Sequence, residues 1–236
     1  MALPKLNDSP KYEMTIPSLE TKVKFRPYLV KEEKILMIAM ESGSQKATVN
    51  AIIDTIMACV EGEFDRKSLT SYDIEYMFLN LRSKSVGERT TITIQCQKCE
   101  SHNDNEIDLS NVGVSKATLE KSIQITEDIN LHMKYPNFTA VMEVANDGNE
   151  ETEIERTFKL ISECMDVLET EDGRFDLKDE TEEEIQEFLE SLSSQQFEKI
   201  RDWLQDIPKL KHEITFECKE CQHKNDVVLQ GLDDFF

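Results

Sequence analysis

Apolar and polar residues alternate through YEMTIPSLETKVKF, residues 12–25, on both sides of a polar turn. Tyr12, Met14 and Ile16 share one face of the first arm, and Val23 and Phe25 share one face of the second. A period of two with a turn between predicts a β-hairpin, closed by Pro27. The period then lengthens. In VKEEKILMIAMES, Ile35, Leu36, Ile38 and Ala39 form one helical stripe, ended by Gly43. SQKATVNAIIDTIMACVEG reads as a second amphipathic helix ending at Gly62. SLTSYDIEYMFLNLRSKSVGE reads as a third, with Ser, Thr and Asp available to cap its start and Ile74, Met77, Phe78 and Leu81 at helical spacing.

Strand-like alternation returns in SIQITEDINLHMKYPNFTAVMEV, interrupted by Pro136. ETEIERTFKLISECMDVL has helical spacing, and ETEDGRFDLKDE reads as a turn-rich loop. TEEEIQEFLESL opens with Thr181 and has Glu184 three residues on, a capping-box spacing. SSQQFEKIRDWLQDIP predicts a last helix, capped by Ser193 or Ser194 and stopped by Pro208. The whole pattern is that of an α+β protein.

One short pattern occurs twice. ITIQCQKCESHND begins at Ile92 and ITFECKECQHKND at Ile214. A shift of 122 positions superposes Ile92, Thr93, Cys96, Cys99, Asn103 and Asp104 on Ile214, Thr215, Cys218, Cys221, Asn225 and Asp226. Each Cys-x-x-Cys lies in a tight turn between two apparent strands, and such a knuckle supplies two thiolates. A structural zinc takes four, so two knuckles facing each other would complete a zinc ribbon. The 118 residues between Cys99 and Cys218 are then an insertion that leaves the ribbon and returns. A thioredoxin-like dithiol is the weaker alternative, because that motif has one Cys-x-x-Cys at a helix N-terminus. A metal-free pair of knuckles is another. His102 and His223 lie nearby as alternative ligands, and iron could replace zinc. Cys59 and Cys164 sit in apolar helical patterns and read as buried small side chains.

A site closed by four thiolates has no open position for an activated water, so the metal is structural. No phosphate-binding glycine loop, nucleophile elbow or His-Glu-x-x-His is present, and no catalytic residue is assigned. The expected architecture is a composite one. Residues 1–90 form a hairpin and helical region, and 91–110 with 210–230 form the paired knuckles. Residues 111–209 form a strand and acidic-helix insertion, and 231–236 a tail.

Charge refines the class of partner. The 236 residues carry a formal charge of -21, and residues 143–206 hold 22 acidic against 6 basic side chains. Such a surface repels phosphate backbones and suits a protein partner. A zinc-ribbon nucleic-acid or transcription module remains the alternative, although Lys98, Lys219 and Lys224 are matched by Glu100, Glu217, Glu220 and Asp226. A hydrolase using the acidic loop has only the number of carboxylates behind it. No apolar run approaches the roughly 18 residues of a membrane helix. The N-terminus has no signal-like apolar core, so a cytoplasmic protein is expected.

Two stretches resemble those of a known family. YEMTIPSLETKVKFRPYLVKEEKILMIAMES resembles the N-terminal signature of T4-type phage baseplate hub assembly proteins, a hairpin followed by a Phe-x-Pro-type junction and a charged helix start. FLESLSSQQFEKIRDWLQDIPKLKHEITFECKECQHKNDVVLQGLDDFF resembles their C-terminal pattern of helix, knuckle and aromatic end. The usual knuckle closes with Cys-Gly, whereas this chain has Cys99-Glu100 and Cys221-Gln222. The resemblance implies a non-enzymatic protein that helps build the baseplate hub, as chaperone or hub subunit. It implies other hub and tail proteins as partners, and no membrane, nucleic acid or small-molecule substrate. It also implies residence in the host cytoplasm during assembly, with the virion tail baseplate as the second location. Candidate partner-binding residues are Arg26 and Lys31 at the basic hairpin–helix junction, and Leu232, Phe235 and Phe236 in the tail. The two tail aromatics need a pocket, on this chain or on a partner.

Overall fold

The computed structural model describes residues 9–115, 121–138, 140–141 and 152–235. The protein is α+β, and its chain divides into two compact units, Met1–Ser115 with Lys209–Phe236, and Lys116–Pro208. Among the described residues no helix is long and apolar enough to cross a membrane.

The first unit opens with strands β1 (Tyr12–Ile16) and β2 (Thr21–Phe25), paired antiparallel so that Met14 faces Val23. Met14, Ile16, Val23 and Phe25 are all buried, as the alternation requires. The hairpin turn is tied down by Asp73. Its carboxylate accepts the Ser18 backbone N–H at 2.9 Å and hydroxyl at 2.5 Å, and the Thr70 N–H and hydroxyl at 2.8 and 2.6 Å. One buried carboxylate thus caps the helix that starts at Ser71 and anchors the hairpin. Helices α1 (Val30–Glu41), α2 (Gln45–Cys59) and α3 (Ser71–Ser85) follow, with the two-residue strand β3 (Val60–Glu61) added to β2. Gly62 is required beside that edge, because a Cβ there would meet Val23 Cγ1 at 2.8 Å.

Helix α3 buries Ile74, Met77, Phe78 and Leu81, the predicted stripe. Helix α1 departs from expectation. It buries Glu32, Leu36 and Ala39, and leaves Ile35 and Ile38 half in solvent with Val30, Met37 and Met40. Apolar residues surround this helix on every side, so periodicity alone could not choose the inward face. The choice falls to Glu32, which is drawn inward by Arg26.

Two long hairpins complete the unit. Strands β4 (Arg89–Gln95) and β5 (His102–Asp108) pair with Ile94 opposite Asn103. Strands β11 (Leu210–Glu217) and β12 (Lys224–Gln230) pair with Phe216 opposite Asn225. These registers are the same under the 122-residue shift. Ile94, Ile107, Phe216 and Leu229 share one core with Leu79, Leu109, Val112, Leu210 and Phe235. Strand β6 (Gly113–Val114) pairs with the start of β11, and the Ser115 N–H donates to the Lys209 carbonyl at 2.9 Å. The excursion therefore begins and ends at one clasped point.

The second unit has a four-stranded antiparallel sheet in the order β10–β9–β8–β7, made of β7 (Ser122–Gln124), β8 (Ile129–Met133), β9 (Met165–Thr170) and β10 (Gly173–Asp176). Its helices are α4 (Glu153–Cys164), α5 (Glu182–Ser191) and α6 (Ser194–Gln205). Each starts in a capping box: Thr152 with Glu155, Thr181 with Glu184, and Ser193 with Gln196. The core gathers Ile125, Leu131, Ile161, Cys164, Ile200 and Trp203.

Two local expectations are corrected in this unit. MDVL belongs to strand β9 and not to the preceding helix, because the backbone turns extended at Met165 and Met165 and Val167 are buried on alternate positions. GRFD belongs to strand β10 and not to a loop. It pairs with β9 through Arg174 opposite Glu169, with Gly173 at φ 152° in the turn. This edge strand is mostly exposed, so it carries no buried alternation to read. Most of TAVMEV lies outside the described residues.

Candidate metal centre and partner-facing residues

Each knuckle is built by its backbone. The Cys96 N–H donates to the Ser101 carbonyl and the Glu100 N–H to the Cys96 carbonyl, both at 2.9 Å. The second knuckle repeats both bonds at the same length, from Cys218 to His223 and from Gln222 to Cys218. This tight turn forces the residue after each second cysteine into the left-handed region, Glu100 at φ 59° and Gln222 at φ 57°. Glycine takes that conformation without strain, which is why a Cys-Gly knuckle is the common form. Here the turn is reached with side chains in place.

The two knuckles face each other across the first unit. Cys96 Sγ lies 3.7 Å from Cys221 Sγ, and Cys99 Sγ lies 3.6 Å from Cys218 Sγ. All four sulfurs are within 4.8 Å of one another. Disulfide sulfurs sit at about 2.05 Å, so these are four free thiols. Four sulfurs at about 2.3 Å from one ion stand about 3.8 Å apart along the edges of a tetrahedron. The observed spacing fits that requirement, and Cys96, Cys99, Cys218 and Cys221 can bind a metal ion.

The electrostatics point the same way. The Ser101 hydroxyl lies 3.1 Å from Cys218 Sγ and 3.2 Å from Cys99 Sγ. That hydroxyl and the backbone N–H groups of Cys221 and Glu220 pull the Cys218 thiol down to about 5, against its burial. At Cys96, burial is outweighed by the N–H groups of Cys99 and Lys98 and by the Asn225 amide, and the thiol is again lowered. At Cys221 the His223 N–H pulls downward, but burial and the sulfurs of Cys99, Cys218 and Cys96 push the thiol up to about 12. Hydrogen-bond donors thus favour the thiolate at Cys218 and Cys96, and burial with the neighbouring sulfurs disfavours it at Cys221.

Other cysteines behave differently. Burial pushes the Cys164 thiol up to about 12, and it is fully enclosed in the second unit's core. Cys59 is also buried and raised by burial, between β3 and Arg26. His102 and His223 are in the knuckle hairpins but not in the sulfur cluster.

The chain matches the family described as T4 bacteriophage base plate protein over residues 9–236. It belongs to that baseplate family. No curated protein and no solved structure matches the chain closely enough to add to the assignment. A baseplate protein works among other phage proteins.

Arg26 is engaged within its own unit. Its guanidinium donates to Glu32 Oε1 at 2.9 Å and to the carbonyls of Pro27 and Ala58 at 3.0 and 3.1 Å. The Arg26 side chain is 20% exposed and that of Glu32 5%. Glu32 Oε2 also accepts the Leu29 N–H at 2.9 Å, which starts helix α1. Burial alone would raise the Glu32 carboxyl, but Arg26, the Leu29 N–H and Lys31 outweigh it and hold it low. Lys31 reaches the same carboxylate at 3.1 Å with its side chain 70% exposed.

In the tail, Phe235 is fully buried in the shared core of the two hairpins, and Leu232 packs against that core. Gly231 makes the bend at φ 72°, with its N–H on the Leu210 carbonyl at 3.1 Å. The Gln230 N–H donates to Asp234 Oδ2 at 2.7 Å and fixes the last turn. Of the two pockets considered for the aromatic end, Phe235 occupies one on its own chain. Phe236 lies outside the described residues.

The sequence reading missed three side chains: Ser101, and the buried Asn103 and Asn225. Both asparagines were visible as repeat positions. Polar residues repeated at the same inward-facing strand position are a signal of paired hydrogen bonding.

Proposed function

We propose that this protein is a non-enzymatic assembly protein of the baseplate hub, a chaperone or hub subunit that acts through contacts with other hub and tail proteins. The observation that carries this reading is the family match along nearly the whole chain. A structural zinc on Cys96, Cys99, Cys218 and Cys221 would join the two hairpins. It would supply a cross-link between segments far apart in sequence and no activated water, since four thiolates fill its coordination.

Helix α1 supports the contact reading. Val30 is 78% exposed and Met40 64%, and Ile35, Met37 and Ile38 are more than half exposed. The unbroken apolar run Ile35–Met40 on an exposed helix is a surface that becomes covered, and exposed methionines adapt to a partner's relief. Lys31 and Lys34 flank Ile35 and Ile38, so the partner we favour is another baseplate protein with an apolar groove edged by carboxylates. Lys31 extends that surface, whereas Arg26 supports it from beneath through Glu32.

The test is co-purification of the tagged chain from infected cells, with mass spectrometry of its partners and of mature particles. Hub proteins should be recovered with the wild type and lost with Ile38→Asp or Lys31→Glu while the fold is unchanged. A gel shift with DNA or RNA at low salt, with no hub proteins recovered, would instead favour a nucleic-acid module.

A further inference from the structure

We infer that Asn103 and Asn225 are a reciprocal pair of positioning residues that hold the two knuckles in register for the metal. The inference rests on the metal reading given above. Asn103 lies in β5 and is 2% exposed; Asn225 lies in β12 and is 0% exposed. Each amide stitches its own hairpin to the other. Asn225 Oδ1 accepts the N–H of Gln97, the residue after Cys96, at 2.9 Å. Asn103 Oδ1 accepts the N–H of Lys219, the residue after Cys218, at 2.9 Å. On the other end, Asn103 Nδ2 donates to the Ser101 carbonyl at 3.0 Å and Asn225 Nδ2 to the His223 carbonyl at 2.9 Å. Asn103 Nδ2 also lies 3.7 Å from Cys218 Sγ.

The partners fix the orientation of both amides, since a backbone N–H must meet the oxygen and a carbonyl the nitrogen. The carbonyls of Ser101 and His223 are the same ones that accept from Cys96 and Cys218 in the knuckle turns. Each asparagine therefore joins the closing turn of its own knuckle to the opening turn of the other. Two such links related by the 122-residue shift fix both the separation and the rotation of the knuckles. Only with that register do Cys96 and Cys218 approach the sulfurs of the opposite knuckle. Aspartate would keep the accepting oxygen but lose the donor and bring negative charge to the thiolates. Alanine would lose both bonds and leave the Lys219 or Gln97 N–H of the opposite knuckle without its acceptor, while the Ser101 and His223 carbonyls keep their bonds from Cys96 and Cys218. Residues that orient metal ligands from behind contribute about 10–100-fold to metal affinity, and we expect each single alanine variant to lose that much.

The experiment uses the full chain, reduced and purified. Zinc affinity is measured by chelator competition for the wild type, Asn103→Ala, Asn225→Ala and, as a lesion in the same core away from the knuckles, Ile107→Val. Cobalt(II) absorption reports the ligand geometry, and amide exchange by NMR reports the two cross-links with and without metal. The expected result is crossed. Asn225→Ala exposes the Gln97 amide of the opposite hairpin to exchange, Asn103→Ala exposes that of Lys219, and both weaken zinc and distort the cobalt spectrum. Ile107→Val lowers stability and leaves affinity and spectrum in place. Unchanged affinity in both alanine variants, or unchanged protection of Gln97 and Lys219, would overturn the inference. If an alanine variant does not fold, Asn103→Ser and Asn225→Ser, whose shorter side chains do not reach the opposite knuckle, replace it, and wild-type affinity in these would overturn it equally. A wild type that binds no metal refutes the metal reading, while the protection of Gln97 and Lys219 still decides whether the links exist.

Discussion

The first unit's knuckle cysteines and the second unit's Cys164 sit in opposite surroundings. In the first, four cysteines from segments 118 residues apart converge into a cluster of sulfurs no more than 4.8 Å across, with one thiol held near 5. In the second, Cys164 is one apolar group among Ile161, Met165 and Trp203, with its thiol pushed up to about 12 by burial. The same side chain can serve as a ligand where hydrogen-bond donors surround it, as at Cys218, and is a small hydrophobe where apolar side chains do, as at Cys164. The units should accordingly depend on different things, the first on its metal and the second on packing.

Removing a ligand should separate them most. Cys218→Ser should cost the first unit several kcal/mol, roughly the metal's share of its folding free energy. The second unit's melting should stay as it was, and Cys164→Ala should cost it only about 1 kcal/mol with no change in metal content. Hydrogen exchange resolved by segment distinguishes the two, and equal effects on both units would break the contrast. From the other side, Ile161→Ala empties a fully buried position of the second unit. It should destabilise that unit by about 3 kcal/mol and leave zinc binding intact.

A third change sharpens the account of the first unit. Glu32→Gln should cost about 2 kcal/mol by leaving Arg26 without its ion pair. The sign with pH follows from the depressed Glu32 carboxyl. Its contribution is complete above the ordinary glutamate value and fades as pH falls through the lowered folded one. The wild type should thus lose more stability in acid than the glutamine variant, as followed by urea unfolding across pH. The smallest effect is expected at the knuckle turns. Glu100→Gly and Gln222→Gly should each stabilise the first unit by about 0.5 kcal/mol, because glycine relieves the left-handed backbone at some cost in chain entropy. Thermal melting of the metal-loaded protein checks this, and a loss of stability would point to an unrecognised role for either side chain.

Sequence alone made much of this legible. The 122-residue repeat announced the facing knuckles, because identical flanks imply identical hairpins. The alternation of Met14, Ile16, Val23 and Phe25 gave the first hairpin, and the spacing of Ile74, Met77, Phe78 and Leu81 gave α3. Where local pattern was ambiguous, tertiary partners decided. Helix α1 is apolar all round, so its inward face was set by the Arg26–Glu32 pair, a contact between residues with no periodic signature. The strand β10 has little buried surface and exists through its pairing with β9. Arg26 reads from the sequence as a candidate docking residue, and what no local pattern showed is that its fork meets Glu32, Pro27 and Ala58. The cross-hairpin bonds of Asn103 and Asn225 join residues over 110 positions apart, and no local window contains both ends of either bond.

The most direct test of the central claim is native mass spectrometry of the intact, reduced protein with elemental analysis. The account predicts one zinc per chain, lost together with the first unit's fold on chelation. A folded chain that carries no metal, with Cys96, Cys99, Cys218 and Cys221 all freely reactive toward a thiol reagent, would contradict it.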